Sequence, residues 1–287
     1  MRAALDLAKP RIALASAASA LAVFILASRG LDRRALPLGL GVFLLACGAG
    51  ALNQLLERRL DGLMARTRSR PLPSGRMSPG RALAVALALL AAGLPLVGLA
   101  AGPAGWVWAA AAVAWYGGVY TPLKRLTAFA AVPGALAGAV PPALGWLAAG
   151  RSWQDPRLLA LCLFFTLWQV PHFWLLVPRL APDLRRAGLP DLGHALGEER
   201  LARLAAVWMC TAAASALLLP LFGALASPAA LALLALAAAW LTAKTLRLLR
   251  AASAPDPFAA AFAQLNAFVL AVLALMAADP YLSGRGL

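Results

Sequence analysis

The 287-residue chain is 62% apolar and 13% charged with a mean hydropathy of +0.79, which excludes an ordinary water-soluble domain, where roughly a quarter of residues carry charge. A net charge of +15 would point to nucleic acid in a soluble protein, but the basic residues stand between long apolar runs. Nucleic acid is therefore set aside as a partner, and the charges read as membrane-topology signals and as partners for lipid or substrate phosphate.

The expected fold class is all-α and polytopic, one membrane domain over residues 1–287. Nine apolar stretches of about 17 to 25 residues match a bilayer core of roughly 30 Å. They run from Ile12 to Ser28, Leu36 to Leu56, Ala82 to Ala101, Ala104 to Tyr120, Ala128 to Ala149, Leu158 to Val177, Leu204 to Leu225, Pro228 to Leu249 and Phe258 to Ala277. With the N-terminus in the cytoplasm, 20 of the 26 Lys and Arg fall in inner segments, leaving Arg29, Arg33, Arg34, Arg151, Arg157 and Arg285 outside. Eight of the eleven acids share the inner side. The positive-inside bias does not require them there, so they point to chemistry at the cytoplasmic face of a cell inner membrane. Cys47, Cys162 and Cys210 lie within apolar runs, and no disulfide is expected.

At the end of the second stretch, Asn53, Glu57 and Asp61 follow one another at i, i+4 and i+8, a polar stripe roughly 12 Å long on one helix face. Such oxygen donors suit Mg²⁺, which takes one or two carboxylates and completes its shell with substrate phosphate and water. An ordinary helix end, its acids neutralised by nearby arginines, has the same pattern. The run that follows, from Met64 to Pro79, carries Arg66, Arg68, Arg70 and Arg76 around Pro71-Leu72-Pro73 and Ser74-Gly75. It has the donors and limited freedom to grip a diphosphate, or to anchor on anionic membrane lipid. Asp61 is expected close enough to water for its neutralisation to leave folding intact.

Further on, Tyr120-Thr-Pro-Leu-Lys124-Arg125 offers Lys124 and Arg125 to the phosphate clamp, and the Gly- and Pro-rich run after it allows close helix packing or room for a ligand. In Trp168-Gln169-Val-Pro171-His172-Phe173, Gln169 and His172 are polar groups inside an apolar span. A functional role is one reading, with imidazole able to ligate haem iron; a hydrogen bond near the Pro171 kink is the other.

These segments resemble the UbiA-type prenyltransferase superfamily, and within it the branch that farnesylates haem. The resemblance runs from Lys9-Pro10-Arg11 to the last span. It implies nine transmembrane helices around a lipid-open cavity, farnesyl diphosphate and haem b as substrates, and Mg²⁺ as cofactor. It carries metal and diphosphate binding onto Asn53, Glu57, Asp61, Arg66, Arg70, Lys124 and Asp183. Glu57 stands where the family usually has Asp, Arg59 where a further acid is common, Leu184 where Tyr is common, and an Asn expected after Thr127 is missing. The implied chemistry is ionisation of an allylic diphosphate, with Glu57, Asp61 and Lys124 at the catalytic centre. Tyr120, Trp168 or Phe173 would steady the cation through their π faces. Prenylation of an aromatic ring such as a quinone precursor would use the same machinery. Transport of an anionic lipid or metabolite would also use basic loops, but gives no reason for the acidic stripe.

Overall fold

The computed structural model describes residues 2–250 and 256–284, so Arg285, counted above to the outer side, lies outside the described residues. All regular elements among them are helical. In chain order these are α1 (Arg2–Ala8), α2 (Pro10–Ser28), α3 (Ala35–Leu63), α4 (Pro79–Ala114), α5 (Thr121–Leu123), α6 (Ala131–Ala148), α7 (Pro156–Trp174), α8 (Val177–Arg186), α9 (Leu192–Leu196), α10 (Glu198–Ala216), α11 (Leu218–Leu221), α12 (Pro228–Arg250) and α13 (Pro257–Leu282). Five of the long helices, α2, α4, α7, α12 and α13, begin on proline, whose fixed φ suits a first turn and whose missing N–H costs nothing there. Ser78, Asp155 and Asp256 cap α4, α7 and α13 by accepting backbone N–H groups.

Seven helices among the described residues are long and apolar enough to cross a bilayer, or eight if α7 and α8, bent by 63°, form one span. This differs from the nine expected stretches chiefly because two of them, Ala82 to Ala101 and Ala104 to Tyr120, merge into one 45-residue run, Pro79–Leu123. A straight helix of that length would reach about 67 Å. Instead the chain reverses at Gly102, whose φ of 66° and ψ of −166° are closed to residues with a Cβ. A Cβ on Gly98 would sit 3.5 Å from the Trp106 ring, and one on Gly105 would sit 3.6 Å from the Val97 carbonyl. Residues eight apart on a straight helix stand about 12 Å apart, so the two arms are folded against each other.

The long helices close into a ring. The order is α3, α4, α6, α7, α10, α12, α13 and then α2, which also packs on α3 and α6. With little hydrophobic drive between helices in lipid, close backbone approach supplies the packing. Gly41 and Gly93 meet across α3 and α4, where a Cβ on Gly93 would lie 3.0 Å from the Gly41 carbonyl. Gly145 of α6 lies so near the Ala20 carbonyl of α2 that a Cβ would overlap it. Large side chains such as Leu36, Leu99, Leu159 and Leu270 point outward, as a lipid-facing surface requires. The 29 residues of α3 reach about 43 Å, some 13 Å more than a bilayer core. That excess equals the length of the Asn53 to Asp61 stripe at its C-terminal end.

Candidate active site

The stripe forms as the spacing predicts, and it is buried: Asn53, Glu57 and Asp61 expose 4%, 7% and 1% of their surface. Asn53 Nδ2 donates to Glu57 Oε2 at 3.1 Å, one turn along the same face. Opposite it, the chain widens into a π-helical turn at Trp115–Tyr120, a local irregularity of the kind that often marks functional sites. The turn delivers Thr121 and Lys124 to α3. Thr121 Oγ1 donates to Asn53 Oδ1 at 3.1 Å, and Lys124 Nζ lies 2.6 Å from Glu57 Oε2 and 3.5 Å from Asn53 Oδ1.

Asp61 is paired from the other side. Arg70 NH1 donates to both of its oxygens, at 2.7 and 2.8 Å, and the Asp61 backbone carbonyl accepts from Thr67 Oγ1 at 2.9 Å. The loop between α3 and α4 is a succession of tight turns, with Arg68 N–H on Met64 O, Arg70 N–H on Thr67 O and Met77 N–H on Pro71 O. The expectation that Asp61 stands close to water is thus incorrect. Its carboxylate is enclosed because the loop folds over the helix end and lays Arg70 on it.

Arg66, exposed on the loop, is tied to the same cluster by charge: partial desolvation and then Arg70 lower its pKa, while Asp183 and Asp61 raise it. Asp183, on α8, reaches the loop backbone, accepting from Ala65 N–H at 2.8 Å and Arg66 N–H at 3.2 Å. Both its oxygens are engaged there, so it holds the loop in place rather than joining the Asn53, Glu57 and Asp61 face. Arg125 does not enter the clamp either. Its NH2 donates to the Leu56 carbonyl at 3.0 Å, on an exposed side of α3.

Sequence reasoning missed Lys9, which it counted only as a topology charge. Lys9 sits at the corner between α1 and α2 with φ 50° and ψ 56°, a left-handed conformation costing a non-glycine residue about 1–2 kcal/mol. Burial first, then Arg70, lowers its pKa from 10.5 to about 8; Asp61 and Glu57 oppose the shift and Lys124 adds to it. Lys9 thus stands within electrostatic reach of both ion pairs. Gln54 fixes it there, because Gln54 Nε2 donates to the last carbonyls of α1, Asp6 O at 3.1 Å and Leu7 O at 2.9 Å. The only sequence signal was a lysine before the first helix proline and an amide beside Asn53.

From Lys124 an aromatic wall leads inward. Its ammonium lies 5.3 Å from the Tyr120 ring centroid; Tyr120 stacks on Phe173 at 6.3 Å, and Phe173 meets His172 edge-on at 5.8 Å. Two glycines of α6 admit this wall, since a Cβ on Gly134 would overlap Tyr120 and one on Gly138 would overlap Gln169 Oε1. Gln169 Oε1 and Trp168 Nε1 are buried without a protein hydrogen-bond partner, which leaves polar atoms for a ligand to satisfy. His172 Nδ1 lies 3.0 Å from Asn266 Oδ1 on α13.

Two carboxylates and a carboxamide along one helix face match the hard-oxygen set of Mg²⁺, and among the described residues no group of three His, Cys, Asp or Glu forms a closed metal cage. The donors fit a cation that shares its shell with a phosphate-bearing substrate.

The fold and this site define a multi-pass α-helical membrane protein with an acid-and-cation centre at one end and an aromatic interior behind it. Residues 15–278 match the UbiA prenyltransferase family, and the chain belongs to that family. It is 44% identical over 273 residues to the protoheme IX farnesyltransferase of Geobacter sulfurreducens, covering 95% of this chain and 97% of that one. To the protoheme IX farnesyltransferase of Oleidesulfovibrio alaskensis it is 39% identical over 233 residues, 80% of this chain and 81% of that one. Its fold resembles a digeranylgeranylglyceryl phosphate synthase (TM-score 0.76, 16% identity, 97% of this chain and 98% of that one). It also resembles a UbiA homolog from Archaeoglobus fulgidus bound to GPP and Mg²⁺ (TM-score 0.62, 16% identity, 96% and 99%). The chain is a prenyltransferase, and the transporter reading falls.

Proposed function

We propose that this enzyme transfers the farnesyl group of farnesyl diphosphate to a vinyl group of haem b, giving haem O, at the cytoplasmic face of the inner membrane with its N-terminus inside. The observation that carries the reading is the pairing of two buried carboxylates, Glu57 and Asp61, with Lys124 and Arg70 at the mouth of an aromatic wall that ends on His172. The relatives' shared name supports haem and a farnesyl group as substrates, and the ion-paired mouth and aromatic wall support a diphosphate beside an apolar chain.

Four cations, Lys9, Arg66, Arg70 and Lys124, gather around three carboxylates, Glu57, Asp61 and Asp183. The net positive charge suits an anionic substrate. Glu57, Asp61 and Asn53 Oδ1 would hold Mg²⁺, which would supply charge neutralisation to the departing diphosphate, while Arg70 and Lys124, now on those carboxylates, would be the donors to its oxygens. The C1–O bond breaks with its electron pair leaving on the diphosphate, where the arginine and lysine donors stabilise it. Tyr120 and Phe173 line the path of the allylic cation and keep water from it. The haem vinyl π electrons form the new C–C bond; water then adds to the resulting cation and loses a proton, leaving the hydroxyl of the product.

The test is direct: membranes containing the protein are incubated with haem b and farnesyl diphosphate, with and without Mg²⁺, and analysed by mass for haem O. Formation that requires all three is expected. Prenylation of a quinone precursor with haem b left untouched would overturn the acceptor assignment and keep the prenyltransferase.

A further inference from the structure

We infer that Asn266 fixes the tautomer of His172 so that His172 Nε2 is the axial ligand to the iron of the haem acceptor, an assignment that rests on the haem reading above. Asn266 is one of two carboxamides in the apolar helix α13, with Gln264, and its own orientation is determined. Its Nδ2 donates at 2.7 Å to Phe262 O, the carbonyl one turn earlier. Its Oδ1 is therefore the atom turned toward His172 Nδ1, at 3.0 Å. A carboxamide oxygen only accepts. Nδ1 of His172 must carry the proton, and Nε2 holds the lone pair.

That lone pair has no use within the protein. Nε2 makes no hydrogen bond to any described residue, and it is not fully enclosed by the protein, so it is accessible to a ligand. A histidine serving only to pack would have both nitrogens satisfied or shielded. Here the ring is held from several sides instead: Phe262 at 4.8 Å, Trp168 at 5.1 Å and Phe173 at 5.8 Å fix its plane, and Asn266 fixes its rotation. An imidazole held by an outer hydrogen bond at one nitrogen and bare at the other is the arrangement found in metal-ligating histidines. Coordination needs no proton release, because Nε2 is already unprotonated and the lone pair is donated to an open axial position of the iron. The wall from Lys124 through Tyr120 and Phe173 to His172 places this ligand at the far end from the diphosphate cations.

The experiment titrates the purified, detergent-solubilised protein with ferric haem b in the absence of farnesyl diphosphate, following the Soret band and the low-temperature electron paramagnetic resonance signal. Wild type is expected to bind saturably with a nitrogen-ligated signature. In His172→Ala the signature should vanish and haem affinity should fall about 10-fold or more, farnesyl diphosphate binding should persist, and added imidazole should restore the signature. Asn266→Leu should weaken ligation by about 10-fold. Asn266→Asp should retain it and lower the iron midpoint potential, since a carboxylate draws on the Nδ1 proton and makes the ring a stronger donor. Identical spectra in wild type and His172→Ala would overturn the iron assignment and leave the haem reading intact. Asn266→Leu and Asn266→Asp both matching wild type would overturn the role of Asn266. Failure of wild type to bind haem at all, with farnesyl diphosphate still bound, would instead remove the haem reading itself.

Discussion

Arg70 lays a single nitrogen across both oxygens of Asp61, at 2.7 and 2.8 Å, and with the folded loop leaves 1% of the aspartate exposed. Asp61→Asn therefore has two effects. Haem O formation should fall by orders of magnitude, as electrostatic support is lost from the departing diphosphate. Stability should fall too, because breaking one side of a buried pair costs about 3–5 kcal/mol, less here since Arg70 keeps 21% exposure. Adding Arg70→Met should recover the melting temperature but no turnover. Recovery of turnover along with stability would make Asp61 a structural partner of Arg70 only.

Lys9 predicts a pH dependence. With a pKa of about 8, its ammonium is charged below that value and neutral above it. kcat/KM for farnesyl diphosphate should therefore decline above pH about 8 in wild type. Lys9→Arg stays charged and should flatten that limb, whereas Lys9→Met should raise KM at every pH. Stability moves the other way. A lysine whose folded pKa is lowered costs the fold most below about 8, and the cost is relieved as pH rises toward 10.5. Thermal melting in detergent between those values checks the sign, and a falling melting temperature for wild type relative to Lys9→Met would contradict it.

Gly138 and Gln169 should be energetically coupled. Gly138→Ala pushes a methyl group into Gln169 Oε1, so turnover with haem is expected to drop at least about 10-fold, while diphosphate binding at the other end of the wall is spared. Gln169→Ala removes the obstruction, and the double variant should behave like Gln169→Ala alone, a coupling that distant sites do not show. Additive losses would mean that the two residues do not share a space.

Topology is checked by single-cysteine labelling at Ser74 and Ser152, both exposed, in place of the neighbouring Gly75 and Gly150, whose φ values of 72° and 76° resist substitution. An impermeant maleimide should modify Ser152→Cys on intact cells and Ser74→Cys only after permeabilisation. Equal labelling of both on intact cells would sink the inside-N arrangement.

What the sequence made legible was whatever lies on one helix or in one loop. Asn53, Glu57 and Asp61 are linked by helical period alone, and the arginines beside them by adjacency, so the centre could be read before any contact was known. Lys9, Thr121 and Asn266 were not legible, because each reaches its place through a chain reversal or a helix pairing that periodicity does not encode. Arg125 shows the reverse error. Its neighbour Lys124 points into the site, but at about 100° per residue a step of one turns a side chain away, and Arg125 ends on the Leu56 carbonyl. Asp183 was expected to bind metal or diphosphate; in the structure its oxygens accept from the backbone N–H groups of Ala65 and Arg66.

The overhang of α3 also bears on how a turnover ends. A helix of 29 residues is long enough to hold Glu57 and Asp61 at the boundary where hydrocarbon gives way to water, and exposed leucines give the helices an outer surface suited to lipid. Diphosphate and prenylated porphyrin then part by solubility, one dissolving into the aqueous compartment and the other spreading sideways into the leaflet. Neither blocks the exit of its sibling, and the water-filled compartment and the oil each act as a sink that draws the reaction forward.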